Sequence, residues 1–168
     1  GFHRLEANPT LTDHWSKLSL DSDAKVLVPL CGKSLDMHWL KQLGHTVVGI
    51  ELVEKAITQF FDDASALALQ ESKQTGTKYS AENIHLYHAD FFKVQPDEMP
   101  VEAWYDRAAL VALPSTMRQA YVEQLLNLTT KDSKGLMVTF DYPQEEMQGP
   151  PFALPDSEVE SLFSQHFT

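Results

Sequence analysis

Glu51 closes an apolar run, Thr46 to Ile50, about 20 residues after a turn with a single glycine, Cys31-Gly32. A carboxylate at the tip of a buried strand accepts hydrogen bonds from sugar hydroxyls. A glycine in the turn lets backbone approach the ligand closely. Together these residues have the chemistry of a ribose-binding half-site. Asp90 follows the segment Ile84 to His88 and is placed to meet the amino group of a base, with Phe91 or Phe92 beside the ring. Its plainer role is that of a turn or N-cap aspartate, and Phe92 alone reads as core. Asp106-Arg107 interrupts apolar sequence, Ala103 to Tyr105 before it and Ala108 to Leu113 after it. A charged pair in such a frame needs partners or water. Arg107 either closes a structural salt bridge or aims its guanidinium at an anionic or polarised substrate atom.

Neighbouring residues narrow the ligand. Gly32-Lys33-Ser34 looks like the end of a phosphate-binding loop, but Leu27 stands where that motif needs its first glycine. Pro29 also removes a backbone donor. The dinucleotide fingerprint is absent too, since only one glycine lies in the turn, and a pyrophosphate needs closer backbone approach than that. A phosphate-free adenosine compound fits better, and S-adenosylmethionine leads. A nicotinamide dehydrogenase is the weaker rival. Cys31 reads as small buried filler, because nothing near it supplies the access and lowered pKa of a reactive thiol. His85 and His88 point to opposite faces of one strand, and the other histidines are dispersed, so no metal site is expected.

The elements that must position these groups alternate. Leu11, Trp15 and Leu18 space like one helix face after the Asn8-Pro9 turn. Lys25 to Leu30 is a strand without polar alternation, as expected where helices cover both faces. Ser34 to Leu43 is a helix, with Ser34 a candidate cap and Gly44 in the C′ position. Strands are expected over Thr46 to Ile50, Ile84 to His88, Trp104 to Ala108 and Gly135 to Asp141. Helices are expected over Val53 to Leu69, Pro114 to Leu128 and Asp156 to Phe167. The helix after Pro114 is expected to bury Met117, Tyr121, Leu125 and Leu128. Gln70 to Glu82 and Pro143 to Pro155 read as loops, and Pro96 to Pro100 as a turn. The fold class is α/β: a Rossmann-like, doubly wound, mostly parallel sheet with helices on both faces. Ligands of such sheets bind at the carboxyl ends of the strands. That edge gathers Leu30-Cys31-Gly32, Glu51, Ala89-Asp90, Asp106-Arg107 and Asp141-Tyr142.

Composition bounds the rest. The 168 residues suit one domain, spanning 1–168. A net charge of −11 with scattered basic residues argues against a nucleic-acid partner. No stretch approaches the ~20 apolar residues of a membrane span, and no secretory leader is seen. The lone Cys31 makes a reducing, cytoplasmic setting the default. No heptad pattern asks for assembly, so a monomer is expected. Both ends read as interrupted.

Val26-Leu-Val-Pro-Leu-Cys-Gly-Lys-Ser34, Gly44-His45, Gly49-Ile50-Glu51, Tyr105 to Leu113 and Asp141-Tyr142-Pro143 closely resemble the bacterial thiopurine S-methyltransferase family. The likeness runs over nearly the whole chain. It implies a class I methyltransferase that uses S-adenosyl-L-methionine to methylate sulfur in aromatic and heterocyclic thiols, with selenium and tellurium compounds as further acceptors. It also implies that Leu30, Glu51, Ala89, Asp90 and Arg107 contact the cofactor and that Phe2 borders the thiopurine. Asp106 is expected to orient Arg107, the two forming the catalytic pair. Family members carry an N-terminal segment with paired tryptophans, and two strands beyond the last helix. Against that pattern this chain is expected to show five strands of seven. Two other readings share the cofactor site: a halide or small-thiol methyltransferase, and a non-catalytic module that binds S-adenosylmethionine.

Overall fold

The computed structural model describes residues 7–32, 34–95, 101–107 and 109–137. Its chain order is α1 (Pro9–His14), a 3-10 turn (Trp15–Leu18), β1 (Lys25–Pro29), α2 (Asp36–Gln42), β2 (Thr46–Glu51), α3 (Glu54–Asp63), β3 (Leu69–Lys73), β4 (Gly76–Ala81), β5 (Ile84–His88), a 3-10 turn (Phe91–Lys93), β6 (Val101–Asp106), α4 (Ala109–Ala112), α5 (Ser115–Leu128) and β7 (Thr129–Met137). The strands form one seven-stranded sheet in the order β3-β4-β5-β2-β1-β6-β7. Strands β5, β2, β1, β6 and β7 run parallel, and the β3–β4 hairpin continues the sheet antiparallel to β5.

The pleat sends alternate residues to two cores. Val26 and Val28 of β1, with Val47 of β2, pack with Leu11, Trp15, Met37, Leu40, Ile57 and Phe60 from α1, its 3-10 turn, α2 and α3. Leu27 of β1, with Val48 and Ile50 of β2, packs on the other face with Leu110, Tyr121, Val122 and Leu125 from α4 and α5. Helices cover both faces, as the unbroken apolar run of β1 demands. Asn8 caps α1 by accepting from Thr10 N at 2.8 Å.

Several expectations are corrected. The segment Gln70 to Glu82 is not a loop but most of a hairpin, and it brings the sheet from five expected strands to seven. Its first strand is almost wholly exposed and its second is half-buried with only Tyr79 in the core, so no apolar pattern marks them. The third helix stops at Asp63 rather than Leu69, and Ser65 there takes a left-handed φ of 53°. In α5 Arg118 is buried and Met117 is exposed, the reverse of the periodic expectation. Helix α4 was not expected as a separate element. The expected helix Asp156 to Phe167, the loop Pro143 to Pro155, Asp141-Tyr142 and Phe2 lie outside the described residues.

Candidate cofactor and substrate site

Strand order reverses beside β1: the chain builds outward through β2 and β5, then returns to place β6 on the other side. The crevice at the carboxyl end of that switch point is where open α/β sheets take their ligands. Register aligns the rim. Pro29 pairs with Ile50, and Glu51 pairs with His88, so Leu30, Glu51 and Ala89 follow one another along the edge.

The turn after β1 has an unusual backbone. Leu30 and Gly32 take φ values of 49° and 57°, both left-handed. For leucine that conformation costs roughly 1–2 kcal/mol. Two anchors hold it. Cys31 N donates to Ile50 O at 3.0 Å, carrying the β1–β2 ladder one residue past the strand. The Cys31 side chain is buried in the α2-side core, under Gly49. A Cβ on Gly49 would lie 2.8 Å from the Cys31 sulfur, so only glycine leaves that space. Burial pushes the Cys31 thiol far up, and the charge of Glu51 adds to the effect. Cys31 is filler, not a nucleophile.

Glu51 is fixed before any ligand arrives. Its Oε1 accepts from Gly32 N at 2.9 Å, and its Oε2 accepts from Val53 N at 2.8 Å. A carboxylate offers about four lone-pair sites, so acceptor capacity remains on both oxygens for a pair of hydroxyl donors. A Cβ built on Gly32 meets nothing nearer than Glu51 Oε1 at 4.0 Å. The turn therefore faces open space beside a fixed carboxylate, which fits the sugar of a nucleoside cofactor.

Ala89 N donates to Glu51 O at 3.1 Å and ties the third rim residue to the second. Asp90 caps the 3-10 turn that follows, its Oδ1 accepting from Phe92 N at 3.0 Å. Its other oxygen has no hydrogen-bond partner among the described residues. Phe91 is fully buried and stacks on Tyr121 at 5.2 Å, so it belongs to the core. Phe92 is half-buried and packs against the same core.

The last strand pair separates two charges that are adjacent in sequence. Tyr105 and Arg107 fall on the α2 side of β6, and Asp106 falls on the α5 side. Asp106, 1% exposed, accepts from Ala109 N at 3.0 Å, Leu110 N at 3.1 Å and Tyr121 OH at 2.5 Å. Burial pushes its carboxyl up to about 6, while these donors pull it back down. The expectation that Asp106 orients Arg107 is corrected: among the described residues its hydrogen bonds go to α4 and α5. The carboxylate beside Arg107 is Asp36, with Nη1 to Oδ2 at 3.6 Å. Asp36 is held by Asn8 N at 2.7 Å and Tyr105 OH at 2.8 Å. Sequence reasoning passed over Asp36 and Tyr105. The one available signal was an acidic residue directly after the cofactor turn, at the start of a helix whose next residue, Met37, is core.

Among the described residues no group of three or more His, Cys, Asp or Glu is placed to hold a metal. No helix among them is long and apolar enough to cross a membrane.

Solved structures share this architecture. A 1,6-didemethyltoxoflavin-N1-methyltransferase from Burkholderia thailandensis, solved with S-adenosylhomocysteine, superposes with a TM-score of 0.66 at 13% identity, over 94% of this chain and 65% of that one. TehB from Haemophilus influenzae gives 0.65 at 14% identity, over 91% of this chain and 49% of that one. The fold is that of a class I methyltransferase, whose methyl donor is S-adenosylmethionine. Sequence takes the assignment further. The family model for thiopurine S-methyltransferase matches residues 1–168, and the chain belongs to that family. A thiopurine S-methyltransferase of Shewanella woodyi is 46% identical over 172 aligned residues, 99% of this chain and 77% of the relative. Its counterpart in Shewanella oneidensis is 46% identical over 168 residues with the same coverage.

Proposed function

We propose that this protein methylates the sulfur of aromatic and heterocyclic thiols, thiopurines among them, as a single-domain cytoplasmic monomer. The relatives' names supply the substrate class. The observation that carries the reading is the Glu51 carboxylate, locked by Gly32 N and Val53 N beside an open left-handed turn. That arrangement suits a sugar, and the turn lacks the glycine spacing of a phosphate-binding loop.

When bound, S-adenosylmethionine supplies a methyl group already activated on a sulfonium. The chain's task is then alignment, which in well-oriented reactions is worth ~7 kcal/mol or more. Glu51 holds the ribose. Leu30, Ala89 and Asp90 line the remaining rim, with Asp90 offering the oxygen that does not cap Phe92 N to the base. The family resemblance assigns the border of the acceptor to Phe2, which lies outside the described residues. Arg107, half-exposed at the end of β6, faces the substrate as its cation. Aromatic and heterocyclic thiols are acidic enough to ionise in part near neutral pH, so no strong base is required. A guanidinium contact to the thiolate or ring-nitrogen anion contributes roughly 1.5–3 kcal/mol.

The test is a panel assay with isotopically labelled methyl donor against a thiopurine, an aromatic thiol, bisulfide, iodide, selenite and tellurite. Preferential transfer to the thiopurine and aromatic thiol is expected. Preference for iodide or bisulfide would assign a halide or small-thiol enzyme instead. Donor binding without transfer to any acceptor would make the protein a binding module.

A further inference from the structure

The geometry points to Asp36 as the residue that positions Arg107: its buried carboxylate, pinned by Tyr105 and by the backbone of Asn8, sets where the guanidinium stands at the rim. The assignment rests on Arg107 being the substrate-facing cation of the proposed methyl transfer.

The two partners differ in kind. The Asp36 side chain is 1% exposed, and that of Arg107 is 36% exposed. One end of the pair is immobilised inside the fold, and the other emerges at the carboxyl edge of the sheet. Both Asp36 oxygens are committed: Oδ1 to Asn8 N at 2.7 Å, and Oδ2 to Tyr105 OH at 2.8 Å. A buried carboxylate needs such partners to offset the water it gives up. Tyr105 remains a donor, because burial and the adjacent Asp36 charge push its hydroxyl above the ordinary tyrosine range.

At 3.6 Å the Asp36–Arg107 contact is an ion pair rather than a hydrogen bond. Attraction of this kind restrains the guanidinium and leaves its N–H groups for another acceptor. The strand pleat makes the arrangement possible, since Tyr105 and Arg107 share the face of β6 that looks toward α2. Asp36 also sits close to the cofactor turn in the chain. Its backbone N donates to Ser34 Oγ at 3.2 Å, two residues past Gly32. The first turn of α2 thereby joins the cofactor turn to the substrate-facing cation.

A buried carboxylate that merely stabilises the fold gives the same contacts, so the test must separate the two roles. Asp36→Asn, Arg107→Ala and the double variant are assayed with a thiopurine, and donor affinity is measured by calorimetry. If Asp36 acts through Arg107, Asp36→Asn lowers kcat/KM about tenfold or more in the parent and less than about twofold in the Arg107→Ala background. Asp36→Asn shifts donor affinity by less than about twofold relative to its own background, whether parent or Arg107→Ala. An equal loss in both backgrounds, or none in the parent, overturns the assignment. Should Asp36→Asn fail to fold, Tyr105→Phe takes its place. It frees Oδ2 without removing the carboxylate, and its loss must likewise vanish without Arg107. A parent that methylates no thiol defeats the proposed function, and this inference with it. An active parent with independent effects defeats this inference alone.

Discussion

Glu51 reaches back across the sheet edge to Gly32, its Oε1 accepting the glycine N–H at 2.9 Å. The bond spans 19 residues and closes the loop between the first two strands. The carboxylate therefore holds the turn that precedes α2, and in the proposed function its remaining acceptor sites take the sugar of the methyl donor. Its second oxygen is fixed by Val53 N at 2.8 Å, so the side chain is already ordered for the proposed role. Preorganisation of this kind raises affinity by removing an ordering cost.

Replacing Glu51 should accordingly hurt binding more than folding. Glu51→Ala removes charge-assisted bonds to the ligand hydroxyls, each worth roughly 1.5–3 kcal/mol. A loss of S-adenosylmethionine affinity of about tenfold or more is expected by calorimetry, with S-adenosylhomocysteine weakened in parallel. Unchanged affinity for either compound would remove the sugar-binding role. Gly32 N and Val53 N are left near solvent by the change, so the melting temperature should fall only slightly.

Gly49 supports the same turn from beneath. A Cβ there would lie 2.6 Å from Leu86 Cδ2 and 2.8 Å from the Cys31 sulfur. Gly49→Ala should cost about 1–3 kcal/mol by overpacking. Part of the strain falls on Cys31 and so on the left-handed turn, so donor affinity should weaken as well. Adding Cys31→Ala makes room on one side and should recover part of both losses. A second substitution that recovers neither would show that the Leu86 contact alone sets the cost.

Much of this arrangement was legible in the residue pattern, and the omissions have physical causes. The strand, glycine turn, helix and acid-tipped strand from Lys25 to Glu51 could be read because burial on both faces leaves an unbroken apolar signature. The β3–β4 hairpin escaped because β3 is an exposed edge strand and β4, beside it, buries only Tyr79, so no hydrophobic period remains. Asp36 escaped because its partner Tyr105 is 69 residues away, a distance no local pattern registers. The Asp106–Arg107 misassignment was avoidable. Successive residues of a strand point to opposite faces, so adjacency in sequence is evidence against contact.

His45 predicts an acid sensitivity. Trp15 Nε1 donates to its Nε2 at 3.1 Å, and its Nδ1 lies 3.1 Å from Ala24 O. That network holds the ring as the neutral Nδ1–H tautomer. Burial lowers its pKa below 6.5, against the raising effects of the Ala24 carbonyl and of Asp23 and Glu102. A depressed folded value means that the unfolded chain binds the proton first. The contribution is complete above pH 6.5 and is lost as pH falls toward the folded value. His45→Gln keeps a donor and an acceptor but does not titrate. Urea midpoints followed from pH 7.5 down to about 5 should fall less steeply for the variant than for the parent. Parallel curves would dismiss His45 as the cause.

Asp106 carries the opposite sign, which makes it separable. Its folded pKa, raised from 3.8 to about 6 by burial, lies above its unfolded value. Its contribution is therefore full below pH 3.8 and declines as pH rises through about 6. At neutral pH it is an ionised, buried acceptor for Ala109 N, Leu110 N and Tyr121 OH. Asp106→Asn turns an NH₂ group toward this ring of donors and leaves at least one of them unsatisfied. A stability loss of about 1–3 kcal/mol at neutral pH is expected, because a buried orphan donor costs that much. Below about pH 5 the parent carboxyl is itself protonated, so the gap between variant and parent should change across that range. Denaturant titrations of both proteins at pH 4.5 and 7.5 measure it. Turnover per folded molecule should stay near the parent's, because Asp106 acts on α4 and α5 rather than on Arg107. Full stability with lost turnover would return this carboxylate to the chemistry and undo its assignment to the fold.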